Sequence, residues 1–182
     1  AERGQYTRGG TREALMAGYR EEAGVDPLSS TETFVALRLA IDNWRWAGVP
    51  IYVRTGKRLP RRITEVAIHF QRPPQLPLFP QSAAMLEPDA LVVRVQPDEG
   101  MSLRFGAKVP GLAFEVRKAS MDFDYGAGFE GEFADAYERV ILDALKGDPT
   151  LFIRADEVGR SWRIVDPILA YWGADPAPIP LY

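Results

Sequence analysis

The chain has 182 residues, 22 Lys and Arg against 25 Asp and Glu, a formal net charge of -3 and 46% hydrophobic residues. That is an ordinary soluble globular balance, long enough to bury roughly two-thirds of its surface and without an apolar run near the roughly 20 residues of a membrane span. No cysteine and a single histidine, His69, exclude disulfides, a thiol nucleophile and a His-rich or thiolate metal centre, and the mild negative charge argues against nucleic acid as the main partner.

Residues 1–30 are rich in Gly, Pro and Ser and read as mostly irregular, with a short helix expected over Glu13 to Glu22, where Leu15, Met16 and Tyr19 form a small apolar face. In "TFVALRLAID", Thr33, Val35, Leu37, Leu39 and Ile41 alternate with Phe34, Ala36, Arg38, Ala40 and Asp42, the period of a strand. "NWRW" reads as a turn or a single helical turn. "PIYVR" is a second strand, and Gly56 permits a sharp exit from it.

"TEVAIHFQ" sets Val66, Ile68 and Phe70 against Glu65, Ala67, His69 and Gln71. "RPPQLPLFPQ", with its four prolines, is a loop, and "ALVVRVQP" is a fourth strand. "MSLRFGAKV" and "LAFEVRKASMDFDY" continue the alternation. Turn signals at Pro97–Gly100 and Pro110–Gly111 separate the strands, as in an antiparallel meander.

The period then changes. In "FADAYERVILDALKGD", Phe133, Ala136, Tyr137, Val140, Ile141, Ala144 and Leu145 form one helical stripe, with Asp135 near its start, Lys146 near its end and Gly147 as a C-terminal cap. "RADEVGRSWRIVDPILAYW" predicts a last helix with Asp156 as N-cap and with Val158, Trp162, Val165 and Leu169 inward. Pro167 is expected to kink or split it. "GADPAPIPLY" is an extended tail. The class is α+β: a large, mostly antiparallel β-sheet with helices packed on one face. No Gly-rich phosphate turn stands between a strand and a helix; "GAGFEG" runs into an acidic segment instead.

The sharpest local feature is "VPIYVRTGKRLPRR", where Arg54, Lys57, Arg58, Arg61 and Arg62 cluster behind a strand. Such a run is either a solvated loop or an anion site in which a turn at Gly56 converges two or three cations. His69 lies mid-strand and reads as structural. Asp122 and Asp124 share a strand face and read as a solvated face or ion pairs rather than a cation site. Trp44, Trp46, Trp162 and Trp172 read as core or interface anchors. The residues themselves therefore point to an α+β domain with one anion-binding candidate.

Five segments in order carry more: "RGQY" at 3–6, "STETFVALRLAIDNWRWAGVPIYVRTGKRL" at 30–59, "LVVRVQPDEG" at 91–100, "DAYERVILDALKGD" at 135–148 and "WRIVDPIL" at 162–169. Together they closely resemble the C-terminal domain of glucose-6-phosphate dehydrogenase, over nearly the whole chain. The resemblance implies an NADP-dependent, cytoplasmic oxidoreductase that takes glucose 6-phosphate to 6-phosphogluconolactone at the start of the oxidative pentose phosphate pathway. It implies residues 1–182 as a single substrate-binding and oligomerisation domain. The NADP-binding Rossmann domain is expected in a preceding part of a longer enzyme, and a homo-oligomer is expected through the β-sheet. The opening "AERGQYTRGG", without an initiator Met, fits that expectation. No metal, nucleic acid or membrane partner is implied.

By the same resemblance Lys57 of "RTGK", Arg62 five positions on and Gln96 of "RVQP" contact the substrate. Arg54 and Arg94 match a second, structural NADP site of animal enzymes, although Ile63 and Ala67 stand where those enzymes carry basic residues. Arg58 and Arg61 are expected to be solvated or paired with acidic neighbours. The family's catalytic histidine belongs to an "RxDHxxGK"-like motif that this sequence lacks, and His69 does not match it, so no catalytic residue is expected here and the isolated chain should be inactive. The alternative is a stand-alone, non-catalytic binding or assembly module of the same fold.

Overall fold

The period-2 segments become strands where their alternation places them. In the computed structural model, which describes residues 1–11, 14–72, 87–112, 115–128 and 136–182, the strands are β1 (Glu2–Gly4), β2 (Gly9–Thr11), β3 (Ala14–Met16), β4 (Phe34–Leu39), β5 (Ile51–Gly56), β6 (Thr64–His69), β7 (Ala90–Gln96), β8 (Gly100–Lys108) and β9 (Val116–Asp124). The longer helices are α1 (Ala136–Lys146) and α2 (Ala155–Ala174). The class is α+β and all strand pairs are antiparallel, as the patterning predicts. The described strands are spread over three sheets, ordered β1-β4-β5, β2-β3 and β6-β7-β8-β9, rather than one. They belong to two compact units, Ala1–Pro60 with Tyr137–Tyr182, and Arg61–Ala136.

In the first unit, β4 pairs β5 from Phe34↔Gly56 to Leu39↔Ile51, and β1 adds on the other side of β4. The connection at "NWRW" is a helical turn: the Ala47 N–H donates to the Asn43 carbonyl at 2.9 Å, and the Asn43 side chain accepts from the Arg45 and Trp46 N–H groups. The helix expected over Glu13 to Glu22 does not form. β2 and β3 make a short hairpin there, followed by a 3₁₀ turn at Tyr19–Glu21. Gly18, a poor helix residue, marks the break, and its N–H is taken by the Glu21 carboxylate at 3.0 Å.

The core of this unit is small and partly polar. Tyr6, Trp172 and Ile179 are buried, and so is Gln5, with no exposed surface at all. Gln5 satisfies every polar group it has. Its Nε2 donates to the Ser29 and Thr31 carbonyls at 2.9 and 2.7 Å, and its Oε1 accepts from Arg20 at 2.8 Å. Its backbone pairs with the C-terminal segment through Pro180 and Tyr182. Arg3 lies 5.6 Å from the Trp172 ring and pairs with Asp175 at 3.7 Å.

Gly147 caps α1 as expected: it sits at φ 69, and the Asp148 N–H closes back on the Asp143 carbonyl at 2.9 Å. Asp156 is not the N-cap of α2. Arg154 holds that place, its N–H bonded to Glu157 at 3.0 Å and its guanidinium to Asp156 at 2.9 Å. Both carboxylates fall in the first turn, where the helix dipole favours them. Pro167 does not split α2, which is assigned unbroken to Ala174. Tyr137, Ile141 and Leu145 of the first predicted stripe, and Val158, Trp162 and Leu169 of the second, are exposed rather than inward. Amphipathic spacing marks a face that suits burial; it does not supply the surface that covers it. The expected loop at 73–81, Phe133, Asp135 and the second half of "GAGFEG" lie outside the described residues.

The second unit holds the four-stranded meander. Its register aligns Val66, Val93, Met101 and Phe123 in one row and Ile68, Leu91, Leu103 and Met121 in the next. Because side chains alternate across a sheet, these eight apolar residues share one face. The other face carries the rows Glu65, Arg94, Gly100, Asp124 and Ala67, Val92, Ser102, Asp122. Ala90 and Ser102 are buried, whereas Val66, Ile68, Met101, Met121 and Phe123 on the apolar face remain exposed.

Candidate functional site

The basic run of Arg54 to Arg62 does not fall within one unit. It is cut between Pro60 and Arg61, the boundary of the two units. Arg54, Lys57 and Arg58 belong to the first; Arg61, Arg62, Arg94 and Gln96 belong to the second.

Lys57 leaves the end of β5 with its backbone held on both sides. Its N–H donates to the Thr33 carbonyl at 2.8 Å, and its carbonyl accepts from the Tyr182 hydroxyl at 2.8 Å. The side chain is exposed and takes part in none of the ion pairs among the described residues. Arg54, on β5, is exposed opposite Ala36. Arg58, expected to be solvated or paired, is paired with Glu22 at 3.0 Å and stands 5.8 Å from the Tyr6 ring. The Tyr6 hydroxyl first, and the Arg58 guanidinium second, hold the Glu22 carboxyl below its ordinary range. The left-handed residue of this turn is Arg58, at φ 54, not Gly56. Gly56 is required for room: a Cβ there would lie 2.9 Å from the Phe34 ring.

Gln96 ends β7 in a pocket of about 200 Å³. Arg61, Ile63 and Thr64 lead into it, Glu65 and Arg94 line its strands, and Pro97 and Asp98 close it. Two arginines and two acidic residues therefore line it. Arg94 is further engaged by Asp124, while its Nε is shielded from solvent without a hydrogen-bond partner among the described residues. Only glycine fits at position 100 beside this pair, because a Cβ would lie 2.6 Å from the Arg94 Nη2 and hard against the Phe123 carbonyl. Arg62 is exposed and does not line the pocket.

The expected site residues thus fall into separate sets: Arg94 and Gln96 converge in the pocket, whereas Lys57 and Arg54 are in the other unit. Asp122 and Asp124 are consumed locally. Asp124 holds Arg94, and the Ser102 and then the Ser120 hydroxyl hold the Asp122 carboxyl below its ordinary range. Of the tryptophans only Trp172 is buried. Among the described residues no group of three His, Asp or Glu could hold a metal, and no helix is long and apolar enough to cross a membrane. The anchors of Lys57 escape a reading by residue type, since Tyr182 lies in a predicted extended tail and Tyr6 in a motif with no evident chemistry. The one signal that could have found them is "RGQY", which is distinctive yet performs no visible reaction.

A family model described as "Glucose-6-phosphate dehydrogenase, C-terminal domain" matches residues 1–182. A glucose-6-phosphate 1-dehydrogenase of Aggregatibacter actinomycetemcomitans is 54% identical over 168 residues, which is 92% of this chain and 33% of that protein. A glucose-6-phosphate 1-dehydrogenase 2 of Mycobacterium tuberculosis is 51% identical over 176 residues, 97% of this chain and 34% of that protein. The solved structure of a glucose-6-phosphate dehydrogenase in complex with its substrate glucose-6-phosphate superposes with a TM-score of 0.87 at 34% identity, covering 100% of this chain and 36% of that one. The chain spans about a third of the length of the curated relatives it matches.

Proposed function

The chain belongs to the family of glucose-6-phosphate dehydrogenase C-terminal domains, and from that membership we propose that it supplies part of the substrate pocket and the subunit interface of an NADP-dependent, cytoplasmic glucose-6-phosphate dehydrogenase. The single observation that carries the substrate reading is Lys57, an ammonium with no ion-pair partner among the described residues, on a turn whose backbone is held on both sides. A compact, unneutralised charge on a fixed stem suits a phosphate group, which an already paired cation would serve less well. Arg62 adds a planar fork, and the Gln96 amide can both donate to and accept from sugar hydroxyls. The pocket beside Gln96 is charge-balanced by Glu65 and Asp98, so it suits a neutral sugar better than a polyphosphate. Arg94, already held by Asp124, fits a second nucleotide poorly.

NADP, bound by the preceding part of the enzyme, supplies the hydride acceptor for C1 of the sugar. The residues of this chain hold and orient the substrate, and the base is expected in the "RxDHxxGK"-like motif elsewhere in the enzyme. Homo-oligomerisation is assigned to the β6–β9 sheet, whose register gathers eight apolar side chains on one face, a patch that suits a self-complementary partner.

In the full-length enzyme, Lys57→Ala is expected to raise the KM for glucose 6-phosphate at least about tenfold, the loss of a charge-assisted contact, with the KM for NADP within about twofold. Equal losses for both substrates, or NADP reduction by the 182-residue chain alone, would sink this reading.

A further inference from the structure

We propose that Tyr182, on one side, and the Tyr6–Glu22–Arg58 cluster, on the other, are positioning residues that present Lys57 to the phosphate of a phosphorylated sugar. The inference rests on the reading of Lys57 given above.

A phenol carries one proton. The Tyr182 oxygen lies 2.8 Å from the Lys57 carbonyl and 3.2 Å from both the Thr33 carbonyl and the Thr33 Oγ1. The shortest contact takes the proton, and the Thr33 hydroxyl can donate back to the phenol oxygen. Tyr182 is itself fixed. Its N–H donates to the Gln5 carbonyl at 3.0 Å, and its carbonyl accepts from Thr7 at 2.9 Å. Its ring packs edge-on to Phe34 at 5.5 Å and against Gly4, where a Cβ would come within 3.1 Å. The hydroxyl therefore reaches Lys57 from a rigid base.

The following residue is held from the opposite side. Arg58 occupies a backbone region that non-glycine residues rarely adopt, and such a conformation persists only where the surroundings impose it. Here the Glu22 carboxylate grips its guanidinium at 3.0 Å above the Tyr6 ring. Both anchors act on the backbone flanking one exposed ammonium that has no ion-pair partner among the described residues. This arrangement gives "RGQY" and the tail "PIPLY" a role: Gly4 makes room for Tyr182, Gln5 pairs with it, and Tyr6 backs Arg58.

The test is Tyr182→Phe in the full-length enzyme, which removes one hydroxyl and keeps the ring. The KM for glucose 6-phosphate should rise about fivefold to tenfold, the equivalent of one hydrogen bond, while the KM for NADP and the rate measured with unphosphorylated glucose as a probe substrate stay within about twofold. In a Lys57→Ala background the same substitution should have no further effect. A full-sized effect in that background, or equal losses on glucose and glucose 6-phosphate, would overturn the proposal. A silent Tyr182→Phe beside a damaging Lys57→Ala refutes the positioning alone. A silent Lys57→Ala refutes the site itself. If Tyr182→Phe lowers the melting temperature, Glu22→Gln probes the turn from its other side, and a phosphate-specific rise of about twofold to threefold is expected for a weakened exposed ion pair; no rise would count against the proposal.

Discussion

The two units present their candidate ligands by different physical means. Lys57 sits on an irregular turn of the first unit, held by groups distant in sequence: the Thr33 carbonyl, the Tyr182 hydroxyl and, through Arg58, the Tyr6 and Glu22 side chains. Gln96 sits at the end of a strand of the second, paired with Thr64 just past a bulge in the β6–β7 ladder, in a sheet whose backbone pairing extends to β9. A ladder spreads the cost of losing any one side chain over many backbone bonds. A turn held by a polar hub concentrates that cost in a few residues. The first unit should accordingly be sensitive to single polar substitutions and the second to changes that disturb strand approach.

Gln5→Ala should break this contrast most severely. It leaves the Ser29 and Thr31 carbonyls and Arg20 without their partner inside the unit, and should destabilise the full-length protein by about 2 to 4 kcal/mol in urea denaturation. A loss below about 0.5 kcal/mol, the range of an ordinary surface change, would show that the hub is not the organising element. Gly100→Ala is the matching blow to the second unit. A Cβ crowded against Arg94 and the Phe123 carbonyl should cost about 1 to 3 kcal/mol. Amide exchange should quicken in β8 and β9 and stay unchanged in β4 and β5; a uniform response would mean that the two units do not open separately.

The smallest effect is expected from pH. Glu22 is held below its ordinary value of 4.5, so the stability it contributes is fully present above 4.5 and is lost as pH falls through its lower folded value. Glu22→Gln should therefore flatten the acid limb below 4.5 and leave stability from pH 6 to 8 nearly flat. An unchanged acid limb would remove Glu22 from the account.

Much of this was legible along the chain. The β6–β9 meander, the turn at Asn43 and the Gly147 cap follow from local rules, since period, Asn and Gly placement act over a few residues. The region of Glu13 to Glu22 misled, because a small apolar face at helical spacing was overridden by glycine at 18 and by hairpin pairing between β2 and β3. For Arg58 solvation and pairing both stood open, and its partner Glu22, thirty-six residues away, was not identifiable. Nor was the split of the basic cluster, because charge adjacency in sequence carries no information about a boundary between packed units.

What the sequence by itself determined was the α+β class, strands β4 to β9 and helices α1 and α2 near their observed places, and, through five ordered segments, the family. Only the tertiary structure decided which basic residues are ion-paired among the described residues. Ion pairing and carbonyl capture depend on segments brought together over long chain separations, as when Tyr182 closes on Lys57. Their geometry emerges from packing, not from local propensity.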